Sequence, residues 1–353
     1  MQIEKNLSLK TYNTFAVDVQ ADFFVEIKNE QEIFDLISMD VFASQPHIIL
    51  GGGANILFTK NYEGLVIKIS LMGKTVIKEE DNKVYIKVGA GENWHDTMMW
   101  TLEQWYVGGE NMVLIPGQVW SAPVGNIGAY GKETKDIVYE VEGIDIETKE
   151  KKVRTHDECK FAYRESIFKN ELKNKVIITA VTFVLEKNSA DYVPNIQYND
   201  IQNVIAERNI DPSRITAQEV ADIIITIREN KLPDWKKIGT AGSFFKNPIV
   251  TKDQYQSLLE KYPELKGNAT LPTHWKLEIE NWKLIKLPAG QLIELAGCKW
   301  KSEWPVATYD KHALIIVNNG GASGVEIRAF AQSIQKKVLE LFDVMLEPEV
   351  IIL

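Results

Sequence analysis

The chain has 353 residues, enough for two or three domains that each bury a core, and 45% hydrophobic with 25% charged residues is a soluble globular profile. A formal charge of -9 with scattered Lys and Arg speaks against a nucleic-acid partner. Cys159 and Cys298 lack the spacing of a disulfide framework or zinc site, and no apolar run approaches bilayer length, so a cytoplasmic chain without metal or membrane contact is expected.

In chain order, residues 14–19 and 23–27 read as strands and 29–39 as an amphipathic helix that Asn29 can cap. Residues 47–50 read as a buried strand ending in Gly51-Gly-Gly-Ala-Asn55. In a dinucleotide fold of the Rossmann kind such glycines would open a helix. Here a turn at 61–64 and another strand at 65–69 follow, which rules that fold out. Backbone amides of a glycine turn can still form an anion nest, and a plain turn is the alternative.

A strand from Val84 leads to Gly89-Ala-Gly91, read as a packing turn, and then to a helix over 93–106. Residues 115–131, Ile-Pro-Gly-Gln-Val-Trp-Ser-Ala-Pro-Val-Gly-Asn-Ile-Gly-Ala-Tyr-Gly, carry four glycines, two prolines and no charged residue. That composition suits a loop wrapped on a large flat or anionic cofactor, and equally a buried crossover with tight turns. Strands around 137–146 and 151–154 precede Phe161-Ala-Tyr-Arg-Glu-Ser-Ile-Phe-Lys169, where Arg164 offers a donor fork suited to a carboxylate, although a surface ion pair is the commoner use of an arginine.

In the last third, Thr216-Ala-Gln-Glu219 and Ser323-Gly-Val-Glu326 are capping boxes. The first starts a helix with Val220, Ile223, Ile224 and Ile227 on its apolar face, stopped by Lys231-Leu-Pro233 so that Lys231 stands at the exit. The second starts a helix whose buried stripe is Ile327, Ala331, Ile334, Val338 and Leu341, followed by a terminal strand over 344–353 that Pro348 breaks. Gly239-Thr-Ala-Gly-Ser-Phe-Phe-Lys-Asn-Pro248 puts Ser243 and Lys246 beside paired aromatics, with no Gly-x-Ser-x-Gly elbow or triad partner nearby. The five histidines, at 47, 95, 156, 274 and 312, do not cluster as metal ligands. Residues 251–287, with Trp275 and Trp282, match no motif and read as an excursion of a third domain whose aromatics fill a local core.

Taken together, Asn13-Thr-Phe15, residues 51–57, 89–94 and 115–131, Tyr163-Arg-Glu-Ser-Ile-Phe168, Lys231-Leu-Pro233, residues 242–248 and Leu346-Glu-Pro-Glu-Val350 resemble the UDP-N-acetylenolpyruvoylglucosamine reductases (UDP-N-acetylmuramate dehydrogenases). These are the flavoenzymes of bacterial peptidoglycan precursor synthesis. Tyr198 in Gln-Tyr-Asn-Asp is similar to the type I subgroup, which closes a tyrosine loop over its substrate.

The resemblance implies an α+β fold, with a two-part FAD-binding domain of the vanillyl-alcohol-oxidase type at 1–70 plus 343–353 and 71–214, and a substrate-binding α+β domain at 215–342. It implies non-covalent FAD, with Gly51, Gly52, Gly53, Ala54 and Asn55 at the pyrophosphate and Pro116, Gly117, Ser121, Asn126, Gly128 and Tyr130 lining the flavin. NADPH would be the co-substrate and UDP-N-acetylglucosamine enolpyruvate the acceptor, on a monomeric chain. Arg164, Glu349 and Ser243 match the carboxylate contact, the second acidic group and the proton donor; Tyr163, Tyr198, Lys231 and Asn247 match substrate contacts. His312 falls where the family often has another phosphate contact, with a satisfied surface histidine as the plain alternative. Trp120 stands where the family usually has glycine and Ala54 where it usually has serine, which removes a hydroxyl worth about 1 kcal/mol. An oxygen-using oxidase of the same cofactor class is disfavoured because no histidine in the glycine turn could carry flavin covalently. A silent binding protein is disfavoured by the intact Arg164, Ser243 and Glu349.

Overall fold

The computed structural model describes residues 1–270 and 284–353, so Trp275 and Trp282 lie outside the described residues. The chain forms two compact units, one of Met1–Lys5, Phe23–Gly52 and Glu63–Asn230, the other of Asn6–Asp22, Gly53–Tyr62 and Lys231–Leu353.

The first unit is built on two sheets. One runs in the order Ile3–Ser8, Gln20–Ile27, Tyr62–Ile69, His47–Leu50, with the last pair parallel. Its helix Glu30–Ile37 is capped as the sequence predicts, Asn29 Oδ1 accepting from the Glu32 amide at 3.1 Å. The other sheet is antiparallel, in the order Lys151–Thr155, Val138–Asp145, Val176–Lys187, Lys83–Gly89, Lys74–Glu80. Val176–Lys187 is the apolar central strand, buried along most of its length, whereas the edge strand Lys74–Glu80 is charged and largely exposed. Helix Trp94–Glu103 packs on this sheet through Trp94, fully buried, whose ring meets Phe183 edge-on at 5.7 Å and whose Nε1 donates to the Met112 carbonyl at 2.8 Å. Buried Cys159 sits among this core, and burial pushes its thiol up to about 12.

The second unit carries an antiparallel sheet in the order Gly239–Ser243, His312–Asn318, Val306–Tyr309, Ser302–Glu303, and a three-stranded sheet of Ile249–Thr251, Leu284–Lys286 and Asn268–Thr270. The Ser323–Glu326 capping box forms in full and starts helix Gly324–Phe342. Its buried stripe departs from the expectation at one end: Leu341 is 43% exposed and Phe342 is buried instead, because 342 continues the four-residue step from Ile334 and Val338. Among the described residues no helix is long and apolar enough to cross a membrane.

Two strand expectations are corrected. Of 344–353 only Ile351–Ile352 joins a ladder, parallel to Ile56–Leu57. Residues 14–19 form a turn and an extended run without a ladder, because Asn13 supplies the bonds that a neighbouring strand would. Asn13 Nδ2 donates to the Leu9 and Val17 carbonyls at 2.7 and 3.0 Å, while Oδ1 accepts from the Val17 amide at 3.0 Å.

Thr14, at the centre of that turn, joins two distant segments. Its amide donates to the Gly53 carbonyl at 3.1 Å, its carbonyl accepts from the Thr240 amide at 2.9 Å, and its hydroxyl donates to the Thr240 carbonyl at 2.5 Å. Replacing Thr14 by isosteric Val would leave a buried carbonyl under-satisfied, which costs about 1–3 kcal/mol. Urea unfolding should register that loss, and a change smaller than about 0.5 kcal/mol would show that the hydroxyl does not hold the two segments.

Candidate active site

Residues 115–131 are held in place in the first unit before any ligand is considered. The preceding Leu114 amide donates to His95 Nδ1 at 3.0 Å, which requires an unprotonated ring nitrogen; burial lowers the pKa of His95 and keeps it so. The loop then lies along the Gly89–Trp94 turn: Val119 and Trp120 amides donate to the Glu92 and Ala90 carbonyls at 2.9 and 3.0 Å, and the Gly117 carbonyl accepts from the Trp94 amide at 3.1 Å. A short helix, Ser121–Gly125, ends at Asn126 in the left-handed region, and the hairpin Gly128–Ala129 with Lys132–Glu133 turns on Tyr130 and Gly131 at φ of 48° and 83°.

The loop's fit to a flat, diphosphate-bearing cofactor can be judged from its own geometry. A Cβ built on Gly52 would stand 3.4 Å from the Gly117 Cα, so bare backbone faces bare backbone there. With no charged residue in 115–131, a ligand held here meets amides and aromatic side chains, a lining compatible with a flavin nucleotide. These residues fit FAD. Not every candidate offers its side chain, however. Asn126 is fully buried, with Nδ2 on the Ala162 carbonyl at 2.8 Å and Oδ1 accepting from the Lys135 amide at 3.0 Å, so its amide holds the loop's shape. Ser121 Oγ donates to the Gln118 carbonyl at 2.7 Å, and Pro116 is exposed.

Arg164 does not follow the commoner pattern of a surface cation. It sits at φ 57° and lays its guanidinium against the loop, with Nη1 on the Asn126 carbonyl at 3.3 Å and Nη2 on the Gly128 carbonyl at 3.4 Å. Tyr163, 37% exposed, lies 5.5 Å from the guanidinium carbon. Tyr198 meets Tyr130 edge-on at 5.1 Å. Sequence reasoning missed Arg228, whose charge sits beside the Tyr130 hydroxyl and is opposed by burial. Its Nε, like Asn111 Oδ1, is buried with no hydrogen-bond partner among the described residues. The available signal was its position one helical turn before Lys231.

In the second unit, Gly53 at φ 62° runs so close to the Tyr12 carbonyl that a Cβ would stand 2.1 Å from its oxygen; only glycine fits. Asn55 Nδ2 donates to the Glu349 carbonyl at 3.2 Å, and the Glu349 amide donates to the Phe244 carbonyl at 2.8 Å. The backbone thus brings Ser243, exposed at the end of Gly239–Ser243, next to Glu349 although 105 residues separate them. Lys246, singled out as a cation, pairs with Glu347 at 3.3 Å. Asn247 Oδ1 accepts from the Ala289 amide at 2.9 Å, anchoring helix Ala289–Leu295.

His312 opens on a cavity of about 350 Å³ lined by Lys266, Gly290, Gln291, Glu294 and Lys311. Burial first, then the charges of Lys231 and Lys299, hold its pKa below the ordinary value. Lys231 ends its helix as expected and belongs to this cationic group.

An α+β chain with a glycine-lined, uncharged loop fits the class of FAD-dependent oxidoreductases. In agreement, a family profile described as FAD binding domain matches residues 21–150, and one described as UDP-N-acetylenolpyruvoylglucosamine reductase, C-terminal domain, matches 233–353. The UDP-N-acetylenolpyruvoylglucosamine reductase of Flavobacterium johnsoniae is 43% identical over 350 residues, and that of Bdellovibrio bacteriovorus 40% over 349, each alignment covering 99% of both chains. The solved UDP-N-acetylenolpyruvylglucosamine reductase from Thermus caldophilus superposes with a TM-score of 0.66 at 20% identity, covering 100% of this chain and 99% of that one. The chain belongs to the UDP-N-acetylenolpyruvoylglucosamine reductase family.

His47, His95 and His312 all have pKa values lowered from 6.5 by burial. Unfolded histidines near 6.5 bind protons that the folded ones resist, so stability is full well above pH 6.5, falls as pH drops from there towards the depressed folded values, and levels off below them. The melting temperature should therefore decline between about pH 7 and pH 5, and a flat profile there would contradict neutral burial of these rings.

Proposed function

We propose that this chain reduces the enolpyruvyl ether of UDP-N-acetylglucosamine to UDP-N-acetylmuramate, using NADPH, as a cytoplasmic monomer divided functionally into 1–70 with 343–353, 71–214 and 215–342. The observation that carries the reading is the bond from the Glu349 amide to the Phe244 carbonyl, which joins the backbone of the segment carrying Glu349 to the strand end carrying Ser243, beside the paired aromatics 244 and 245. Bound FAD would supply the two-electron step, accepting hydride from NADPH and delivering it to the β carbon of the vinyl group.

The chain's residues handle the charge and proton that this step creates. As hydride arrives, negative charge builds on the enolpyruvyl carboxylate; Arg164, stiffened by its two carbonyl contacts, would hold that group by charge-assisted hydrogen bonds, with Tyr163 beside it. Glu349 would share the stabilisation. Ser243 Oγ would then give its proton to the α carbon, a donation that succeeds from a weak acid because the acceptor is strongly basic and the donor is oriented. The diphosphate of the nucleotide would suit the cavity at His312, where Lys266 and Lys311 outnumber Glu294 and Lys231 adds its charge, with Asn247 as a further contact; Tyr198 is proposed separately as a substrate contact.

Ser243→Ala should leave flavin bleaching by NADPH fast while abolishing its recovery on adding the enolpyruvyl nucleotide, followed by anaerobic stopped-flow absorbance. Equal loss of both half-reactions would remove Ser243 from proton donation. Lys231→Ala should raise KM for the nucleotide more than it lowers kcat, as expected when binding shared by ground and transition states is lost; an unchanged KM would refute its role.

A further inference from the structure

The bulkiest residue of the cofactor loop lies on the glycine turn. Trp120 is fixed through its amide to the Ala90 carbonyl at 3.0 Å, and its indole is half-buried against the first unit's core. A Cβ built on Gly51 would stand 3.0 Å from Trp120 Nε1 and 3.3 Å from Cε2, so the N–H edge of the ring rests on the first glycine. Nε1 donates to Gln118 Oε1 at 3.3 Å, a long bond. The Gln118 amide is itself fixed, because Nε2 donates to the Ile69 and Gly91 carbonyls at 3.1 and 2.8 Å. The ring therefore has a set orientation and a weakly engaged donor. Indole nitrogen only donates, so whatever strengthens this contact must be an acceptor. A phosphate oxygen, being anionic, is a stronger acceptor for that N–H than the neutral amide oxygen of Gln118, and the loop holds no carboxylate to compete with it.

We propose that Trp120 is a cofactor-contact residue of this chain, its indole N–H donating to the diphosphate of the bound flavin nucleotide. The assignment rests on reading Gly51, Gly52 and Gly117 as the FAD seat. It gives the bulky residue at a position where the family usually has glycine a function that glycine could not perform. A ring that merely filled space would be replaced without loss by another ring, which separates the two roles.

The test uses holoenzyme and Trp120→Phe, which keeps a ring and loses the N–H. FAD release on serial dilution, read by free-flavin fluorescence, should give a dissociation constant raised roughly tenfold or more, the scale of a lost hydrogen bond to a charged group. ADP carries the diphosphate without flavin, and its power to displace FAD should weaken by a similar factor. In ¹⁵N-tryptophan spectra of the unsubstituted protein, the indole signal missing from Trp120→Phe should move downfield when FAD binds. Unchanged FAD affinity in Trp120→Phe, or weakened FAD with unchanged ADP, overturns the proposal. Gly52→Val tests the seat separately: it should lose FAD while keeping its far-UV circular dichroism, and normal FAD binding in that variant would overturn the seat and the proposal with it. FAD loss there, together with undisturbed binding in Trp120→Phe, would sink only the assignment to Trp120.

Discussion

The hydrogen bonds of Thr14 are the constraint on which the second unit's candidate chemistry depends. One residue satisfies a glycine-turn carbonyl through its amide and a strand residue 226 positions away through both its carbonyl and its hydroxyl. Gly53 is thereby pressed onto the Tyr12 carbonyl, and the strand that ends in Ser243 is anchored at its start. Asn318 adds to the hold by donating to the Phe15 carbonyl at 2.8 Å. Buried backbone groups must be paired, and here that demand is met by a three-residue motif without a ladder of its own.

The first unit solves a different problem, that of keeping an uncharged loop in one shape. Gln118 and Asn126 spend their side-chain amides on backbone groups, and His95 accepts from the amide just before the loop. Such bonds are strong only when dry and complete, and the partial burial of His95 lowers its pKa in keeping with that. Arg164 then draws on carbonyls that the loop exposes, so the cation proposed to hold the substrate carboxylate is carried by the element that suits the cofactor. Rigidity of the cofactor loop and orientation of the guanidinium are thus one property. This is the form of preorganisation that catalysis by charge stabilisation needs.

Legibility in the sequence followed the range of the interaction involved. Both capping boxes, the Asn29 cap, the Gly89–Gly91 packing turn and the exit at Lys231 are set by residues within four positions of each other, and all form. The 14–19 segment failed as a strand because its β-forming residues are paired by Asn13 and by distant backbone, which a local pattern cannot encode. Leu341 failed because the helix's buried face depends on where its last turn meets the core. Arg228 was hidden because an arginine on a helix next to exposed residues reads as solvated until the surrounding fold covers it.

By itself the sequence carried the motif set that marks the family, whose resemblance implied the α+β class, and it determined the start and stop of most helices and the glycine positions that a tight backbone demands. These rest on steric and capping rules that act over a few residues. Tertiary structure alone decided that the segments carrying Ser243 and Glu349 are joined, that Arg164 lies on the loop, that Asn126 serves the fold, and that His312 faces a cavity among lysines. Each of these depends on hydrogen bonds or charges between segments far apart in the chain, whose pairing is fixed only once the core has formed.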